Sequence, residues 1–221
     1  MEVGCLFSGG KDSTFVAYYA KIKLGLKYLI TAKPKEGSYM FHYPNIELTK
    51  TQAKLIGVEQ IFYESCSEKE TEVKELEKII SELKIDSLVA GAVASEYQRS
   101  RVENIAKKLN LKLISPIWNI DETEYLKKLI KLGFKIIITG IAAEGFTEKW
   151  LGREIDEKCV EDLIELNKKY KTSIVGEGGE YETFVLDCPI FNKRIKIVES
   201  KKIYDGISGR LEIKKVELVE K

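Results

Sequence analysis

Within six positions, Ser8-Gly9-Gly10-Lys11-Asp12-Ser13, the chain gathers two hydroxyls, an ammonium, a carboxylate and two residues without a Cβ atom. An apolar run at 3–7 precedes them and reads as a buried parallel strand. Behind them Phe15, Tyr18, Tyr19, Ile22 and Leu26 keep helical spacing. Strand, glycine pair and helix start aim backbone N–H groups and a positive helix end at one point, which makes an anion site. The glycines permit positive φ and let an anion approach the backbone. Ser8 and Ser13 add hydroxyl donors and Lys11 a mobile positive charge, so the stretch reads as a pyrophosphate cradle. The common phosphate loop is excluded, because it needs a glycine where Cys5 stands.

Two further blocks carry polar residues at suggestive spacing. Ser95-Glu96-Tyr97-Gln98-Arg99-Ser100-Arg101-Val102-Glu103 follows an apolar run at 87–90, so it starts a helix at that strand's carboxyl end. Tyr97 and Arg101 share a face at i,i+4 with Gln98 beside them, while Arg99 lies on another side. A solvated charged helix is the plain alternative. The second block, 176–183, holds three glutamates and three glycines. Carboxylates that close repel one another unless a cation or a basic group neutralises them. It reads as a substrate or magnesium loop carried by Glu177 and Glu180, against the alternative of an acidic surface turn. His42, the single histidine, sits among aromatic residues and reads from its setting as a packed residue, as do Trp118 and Trp150. With no histidine partner and no cysteine pair, neither a nucleophilic triad nor a zinc site is expected.

The elements that must hold these blocks alternate. Strands are expected at 28–32 (ended by Pro34), 61–63, 87–90, 113–115 and 135–139. Helices are expected at 49–56 with Gly57 as its stop, 70–83, 97–109 and 122–132. This is βαβ traffic and predicts an α/β fold with a doubly wound parallel sheet. Ligands sit at the carboxyl ends of such strands, so the loop at Ser8 and the turns at Ala32, Gly91 and Gly140 are expected to face one crevice. From about residue 142 the pattern becomes irregular, with a helix at 159–170 and strand pieces at 184–186, 194–198 and 211–219. That predicts a smaller α+β region closing over the crevice, hence two domains, 1–141 and 142–221.

Composition narrows the setting. A net charge of +1 with 32% charged residues provides no global field for nucleic acid or an acidic membrane, so neither partner is expected. No apolar run reaches transmembrane length and no signal-peptide pattern opens the chain. The four cysteines, Cys5, Cys66, Cys159 and Cys188, lack CxxC or zinc spacing, which suits a reduced, cytoplasmic protein.

The loop Ser8 to Ser13 resembles the SGGxDS signature of the ATP pyrophosphatases, which cleave ATP between the α- and β-phosphates. Together with the blocks at Glu96 and Gly176 and the segment Ser38-Tyr39-Met40-Phe41-His42-Tyr43-Pro44-Asn45, essentially the whole chain resembles one branch of that superfamily, the diphthine–ammonia ligases. It looks like their short archaeal form, without the C-terminal domains that eukaryotic relatives often add. The pattern departs from the family's at Ser95-Glu96 and at Glu182. The resemblance implies an adenine-nucleotide α-hydrolase-like core and ATP-dependent amidation of diphthine, the modified histidine of translation elongation factor 2. Ammonium is the implied donor, an acyl-adenylate the intermediate, and AMP and pyrophosphate the products. It further implies that Ser8, Gly9, Gly10, Lys11, Asp12 and Ser13 hold the ATP phosphates. Lys11 would stabilise growing charge and Asp12 would position Mg2+, with backbone groups around Ala32 and Gly91 holding adenosine. Tyr97, Gln98, Arg101, Glu103, Glu177, Gly178, Gly179, Glu180 and His42 are then candidates for the diphthine end, whose trimethylammonium group suits carboxylates and aromatic faces. Two other readings remain: a tRNA-modifying pyrophosphatase, whose thiolating members need a cysteine pair, and a non-catalytic nucleotide module, which would need neither Lys11 nor the acidic loop.

Overall fold

The computed structural model describes residues 1–34, 45–66, 69–91, 93 and 96–221, with the side chains at 69–70 and 96–98 outside the description. It divides into two compact units. One comprises Met1–Ser8 and Asp12–Trp118, the other Gly9–Lys11 and Asn119–Lys221.

The first unit alternates β1 (Val3–Leu6), α1 (Lys11–Lys23), β2 (Leu26–Pro34), α2 (Thr49–Ile56), β3 (Glu59–Ser65), α3 (Lys69–Ser81), β4 (Ser87–Val89), α4 (Glu96–Lys108) and β5 (Lys112–Ile114). Its sheet has the order β3-β2-β1-β4-β5, every pair parallel. The doubly wound expectation therefore holds for this unit. Local chemistry explains the helix limits. α2 stops where expected because Gly57 takes φ +69° and donates its N–H to Ala53 O and Lys54 O. The apolar spacing of α3 and α4 fills the core: Ile30, Ile80, Leu88 and Ile105 form a buried cluster, with Val73, Leu76, Ile79, Leu83 and Val102 packed against it.

The second unit contains α5 (Glu122–Lys131), β6 (Lys135–Ile141), α6 (Glu157–Tyr170), β7 (Tyr181–Asp187), β8 (Arg194–Tyr204) and β9 (Gly209–Val219). Asp121 caps α5 by accepting from Glu124 N at 2.8 Å, and Asp156 caps α6 by accepting from Cys159 N at 2.7 Å. Its four strands form a separate sheet, β7-β6-β9-β8, with antiparallel pairs throughout. This corrects one expectation. The strand expected at 135–139 is not a sixth parallel strand and Gly140 is no turn of that sheet; β6 pairs with β7 and β9. A fully buried run such as Ile136-Ile137-Ile138 reads alike in either kind of sheet, so its partners were not legible. For the same reason the boundary between the units falls at Trp118/Asn119, upstream of 141/142.

Among the described residues, no helix is long and apolar enough to cross a membrane. Leu88 lies fully buried in β4, beside the central strand. Replacing it with alanine should cost about 2–5 kcal/mol of stability, read as a lower urea midpoint with unchanged slope.

Candidate active site

Strands β1 and β4 lie side by side while their following helices lead to strands on opposite sides of the sheet, β2 and β5. That is the topological switch point at which open parallel sheets take ligands. The exit of β1 is pinned there: Phe7 N donates to Ile30 O at 2.8 Å and Thr31 Oγ1 donates to Phe7 O at 2.7 Å. Gly9 then takes φ +80°, a turn that a side chain would strain. Ser13 Oγ accepts from Ser8 N at 3.1 Å and from Ser8 Oγ at 3.2 Å, tying the strand exit to the first turn of α1. Gly91, leaving β4, approaches that same turn. A Cβ at Gly91 would stand 3.1 Å from the Asp12 carbonyl carbon and 3.2 Å from Ser13 N. Ser8 and Ala32 are exposed, at the carboxyl end of β1 and near that of β2.

The second unit holds the lysine of this loop. Lys11 N donates to Thr183 Oγ1 at 3.1 Å, Val185 N donates to Gly9 O at 3.1 Å, and Lys11 Nζ donates to Val175 O at 2.5 Å. Its ammonium also lies 5.5 Å from the centre of the Tyr181 ring, and the residue is 4% exposed. Burying an ammonium is costly unless acceptors meet it, and here a carbonyl and an aromatic face do so. The block 176–183 thus reaches Lys11 directly, a juxtaposition the sequence reading did not anticipate.

Within that block the expected roles look different. Glu180 curls back on its own loop, Oε1 accepting from Ser173 N and Oε2 from Gly178 N, each at 2.8 Å. A Cβ at Gly178 would lie 2.9 Å from Glu180 Oε1, so a side chain there would displace that carboxylate. Gly176 takes φ +74°, and a Cβ would lie 2.9 Å from Tyr181 O. At these two glycines the backbone lies close to the loop's own groups. Glu177 N donates to Ser173 Oγ at 3.2 Å, and Gly179 takes φ +83°. Glu122, at the start of α5, was missed by sequence reading. Its Oε2 accepts from Ile174 N at 2.6 Å, Ser173 Oγ at 3.1 Å and Val175 N at 3.3 Å, bracing the turn that holds Lys11. An acidic residue in a helix's first turn carries no signal for a partner 51 residues away.

In the first unit α4 carries the other block. Glu103 pairs with Arg99 at 2.7 Å, and the Arg99 guanidinium stacks 4.2 Å from the Trp118 ring centre. The sequence reading had set Arg99 apart and treated Trp118 as plain packing. Arg101 is half-buried on the same helix. Tyr97 and Gln98 lie on α4 with side chains outside the described residues, and His42 lies wholly outside them. Trp150 packs as expected, 8% exposed, 4.9 Å from Phe146 and capped by Arg153 at 4.6 Å. Among the described residues no group of three or more histidine, cysteine or carboxylate side chains gathers for a metal. Asp12, half-buried in the first turn of α1, offers the loop's one carboxylate. Burial pushes the Cys5 thiol far up and those of Cys159 and Cys188 up to about 12, so all three stay neutral.

Comparison with known proteins places the chain among relatives. The diphthamide synthase N-terminal domain family matches residues 1–113 and the diphthamide synthase C-terminal domain family matches residues 121–219. Proteins named diphthine–ammonia ligase are similar along most of the chain. The human protein is 33% identical over 92% of this chain and 85% of its own length, and the Mus musculus protein 41% identical over the same shares. The Schizosaccharomyces pombe protein is 33% identical over 96% of this chain, which spans 38% of that relative.

Two outcomes follow from this geometry. Gly91→Ala should cost about 1–3 kcal/mol by pressing on the first turn of α1, measured as a drop in thermal midpoint. At pH 8 iodoacetamide should modify half-buried Cys66 first, with Cys5, Cys159 and Cys188 protected until unfolding, as read by mass spectrometry.

Proposed function

From the premise that this chain belongs to the diphthamide synthase family, we propose that it is an ATP-dependent ligase converting diphthine on translation elongation factor 2 to diphthamide. Ammonia supplies the nitrogen, and AMP and pyrophosphate leave. The observation that carries the reading is the turn at the switch point of the parallel sheet, where Ser13 Oγ accepts from Ser8 N and Ser8 Oγ at the start of α1.

The chemistry follows from the difficulty of the reaction. A carboxylate does not give up its oxygen to an amine, so it must first be activated. A diphthine carboxylate oxygen attacks the α-phosphorus of ATP, and the bond from that phosphorus to the bridging oxygen breaks. The products are an acyl-adenylate and pyrophosphate. Ammonia then attacks the acyl carbon, the bond to the AMP oxygen breaks, and the nitrogen loses a proton to give the amide. Negative charge grows on the departing pyrophosphate. The turn at Gly9 and Gly10, the hydroxyls of Ser8 and Ser13, and Lys11 are the groups suited to meet it. The Val175 carbonyl holds the Lys11 ammonium.

Asp12 is the residue that would help hold Mg2+. With one carboxylate in the loop, the ion's remaining oxygens would come from the phosphates and water, which suits magnesium's habits. When bound, it would neutralise phosphate charge. Ala32 and Gly91 flank the switch point and suit the adenosine end, although Gly91's contact with the Asp12 backbone already accounts for its size. Arg101, Tyr97, Gln98 and Glu177 are the proposed residues for the diphthine end. Glu180 and Glu103 are engaged with Ser173 and Gly178, and with Arg99, and act there as braces. The buried, neutral thiols of Cys5, Cys159 and Cys188 argue against sulfur transfer through them.

The test is product analysis with ATP, ammonium and diphthine-bearing elongation factor 2. AMP and pyrophosphate are expected in equal amounts, dependent on both co-substrates, whereas ADP would overturn the reading. Lys11→Ala should lower turnover by about 10²–10³-fold, with circular dichroism confirming that the variant remains folded.

A further inference from the structure

The ammonium of Lys11 is only as well placed as the carbonyl that holds it, and that carbonyl belongs to a tight turn. Residues 173–176 close with Gly176 N donating to Ser173 O at 3.3 Å, and the positive φ of Gly176 sets the direction in which the chain leaves. Three groups fix the turn's other side. Ser173 Oγ accepts from Val175 N at 3.3 Å and Glu177 N at 3.2 Å. Glu180 accepts from Ser173 N. Glu122 Oε2 gathers Ile174 N, Val175 N and the Ser173 hydroxyl at once. A single carboxylate oxygen therefore anchors Val175 from its N–H side while its carbonyl holds Lys11. Charge-assisted bonds of this kind are the shorter and stronger ones, and the 2.6 Å contact to Ile174 N fits that.

We propose that Glu122 is a positioning residue for Lys11, acting through the 173–176 turn and touching no substrate itself. The inference rests on the ligase reading above, in which Lys11 meets the ATP phosphates. Glu122 is half-buried and lines an open polar cleft of about 470 Å³ with Thr123, Asn167, Ser173 and Glu180. Truncating it there admits water instead of leaving a dry void, so the variant is expected to fold.

The test is a double-mutant cycle with Glu122→Ala and Lys11→Ala, measured as AMP release and as the ratio of ATP to AMP affinity by calorimetry. In the otherwise native chain Glu122→Ala should slow AMP release by about 10²-fold, the scale of a 1 Å misplacement. In the Lys11→Ala background the same change should cost less than about twofold, because coupled residues are non-additive. Glu122→Gln, which keeps an acceptor for Ile174 N, should recover much of the loss. Equal losses in both backgrounds would make Glu122 a general structural brace and overturn the proposal. If the native chain released no AMP but the affinity cycle still showed coupling, the ligase reading would fail and the positioning role would stand. If Lys11 contributed nothing to the preference for ATP over AMP, the positioning role would fall as well. Should Glu122→Ala not fold, Glu122→Met, which fills similar space but offers Ile174 N no strong acceptor, runs the same cycle.

Discussion

A buried ammonium constrains this molecule more than any other single group. Lys11 is nearly enclosed, and a positive charge removed from water needs acceptors close by. The chain supplies a main-chain carbonyl and an aromatic face from residues more than 160 positions away. Supplying a carbonyl at a defined point requires a rigid turn, and a rigid turn requires its own N–H groups to be satisfied. Glu122, Ser173 and Glu180 do that together. The acidic, glycine-rich block is then a consequence of the lysine: its glycines sit where backbone and carboxylate must come within contact distance.

The first unit solves a different problem, bringing a strand exit and a helix start together without side chains in between. Parallel pairing of β1 with both β2 and β4 puts two exits next to each other. Gly9 turns the chain, the serine pair ties it, and Gly91 lets the neighbouring exit come within contact of the same helical turn. Each device is local, small and polar. None would hold without the apolar cluster of Ile30, Ile80, Leu88 and Ile105 behind it, each buried side chain contributing on the order of 1.5–3 kcal/mol.

Legibility followed the range of the interaction. α2 and its Gly57 stop were readable because spacing and a C-terminal glycine act within a few residues. The Ser8–Ser13 turn was readable because hydroxyls, glycines and a helix start lie consecutively. The pairing of Glu103 with Arg99 was misjudged even at four residues' separation, because the Trp118 ring that fixes the Arg99 guanidinium arrives from beyond β5. That Glu180 turns back onto Ser173 and Gly178 was not readable, since nothing in the run of letters shows where a carboxylate will find its N–H donors.

By itself, then, the sequence determined the alternating α/β core, the glycine–serine turn after the first strand, and the family to which its motifs point. Periodicity, glycine placement and contiguous motifs are short-range properties written along one stretch of chain. Only the tertiary structure decided that β6 leaves the parallel sheet for an antiparallel one, and that Val175, Thr183 and Tyr181 enclose Lys11. It also decided that Glu122 stands behind the turn that makes this enclosure. Those outcomes depend on which distant hydrogen-bonding groups satisfy one another once buried, and that pairing exists only in the folded chain.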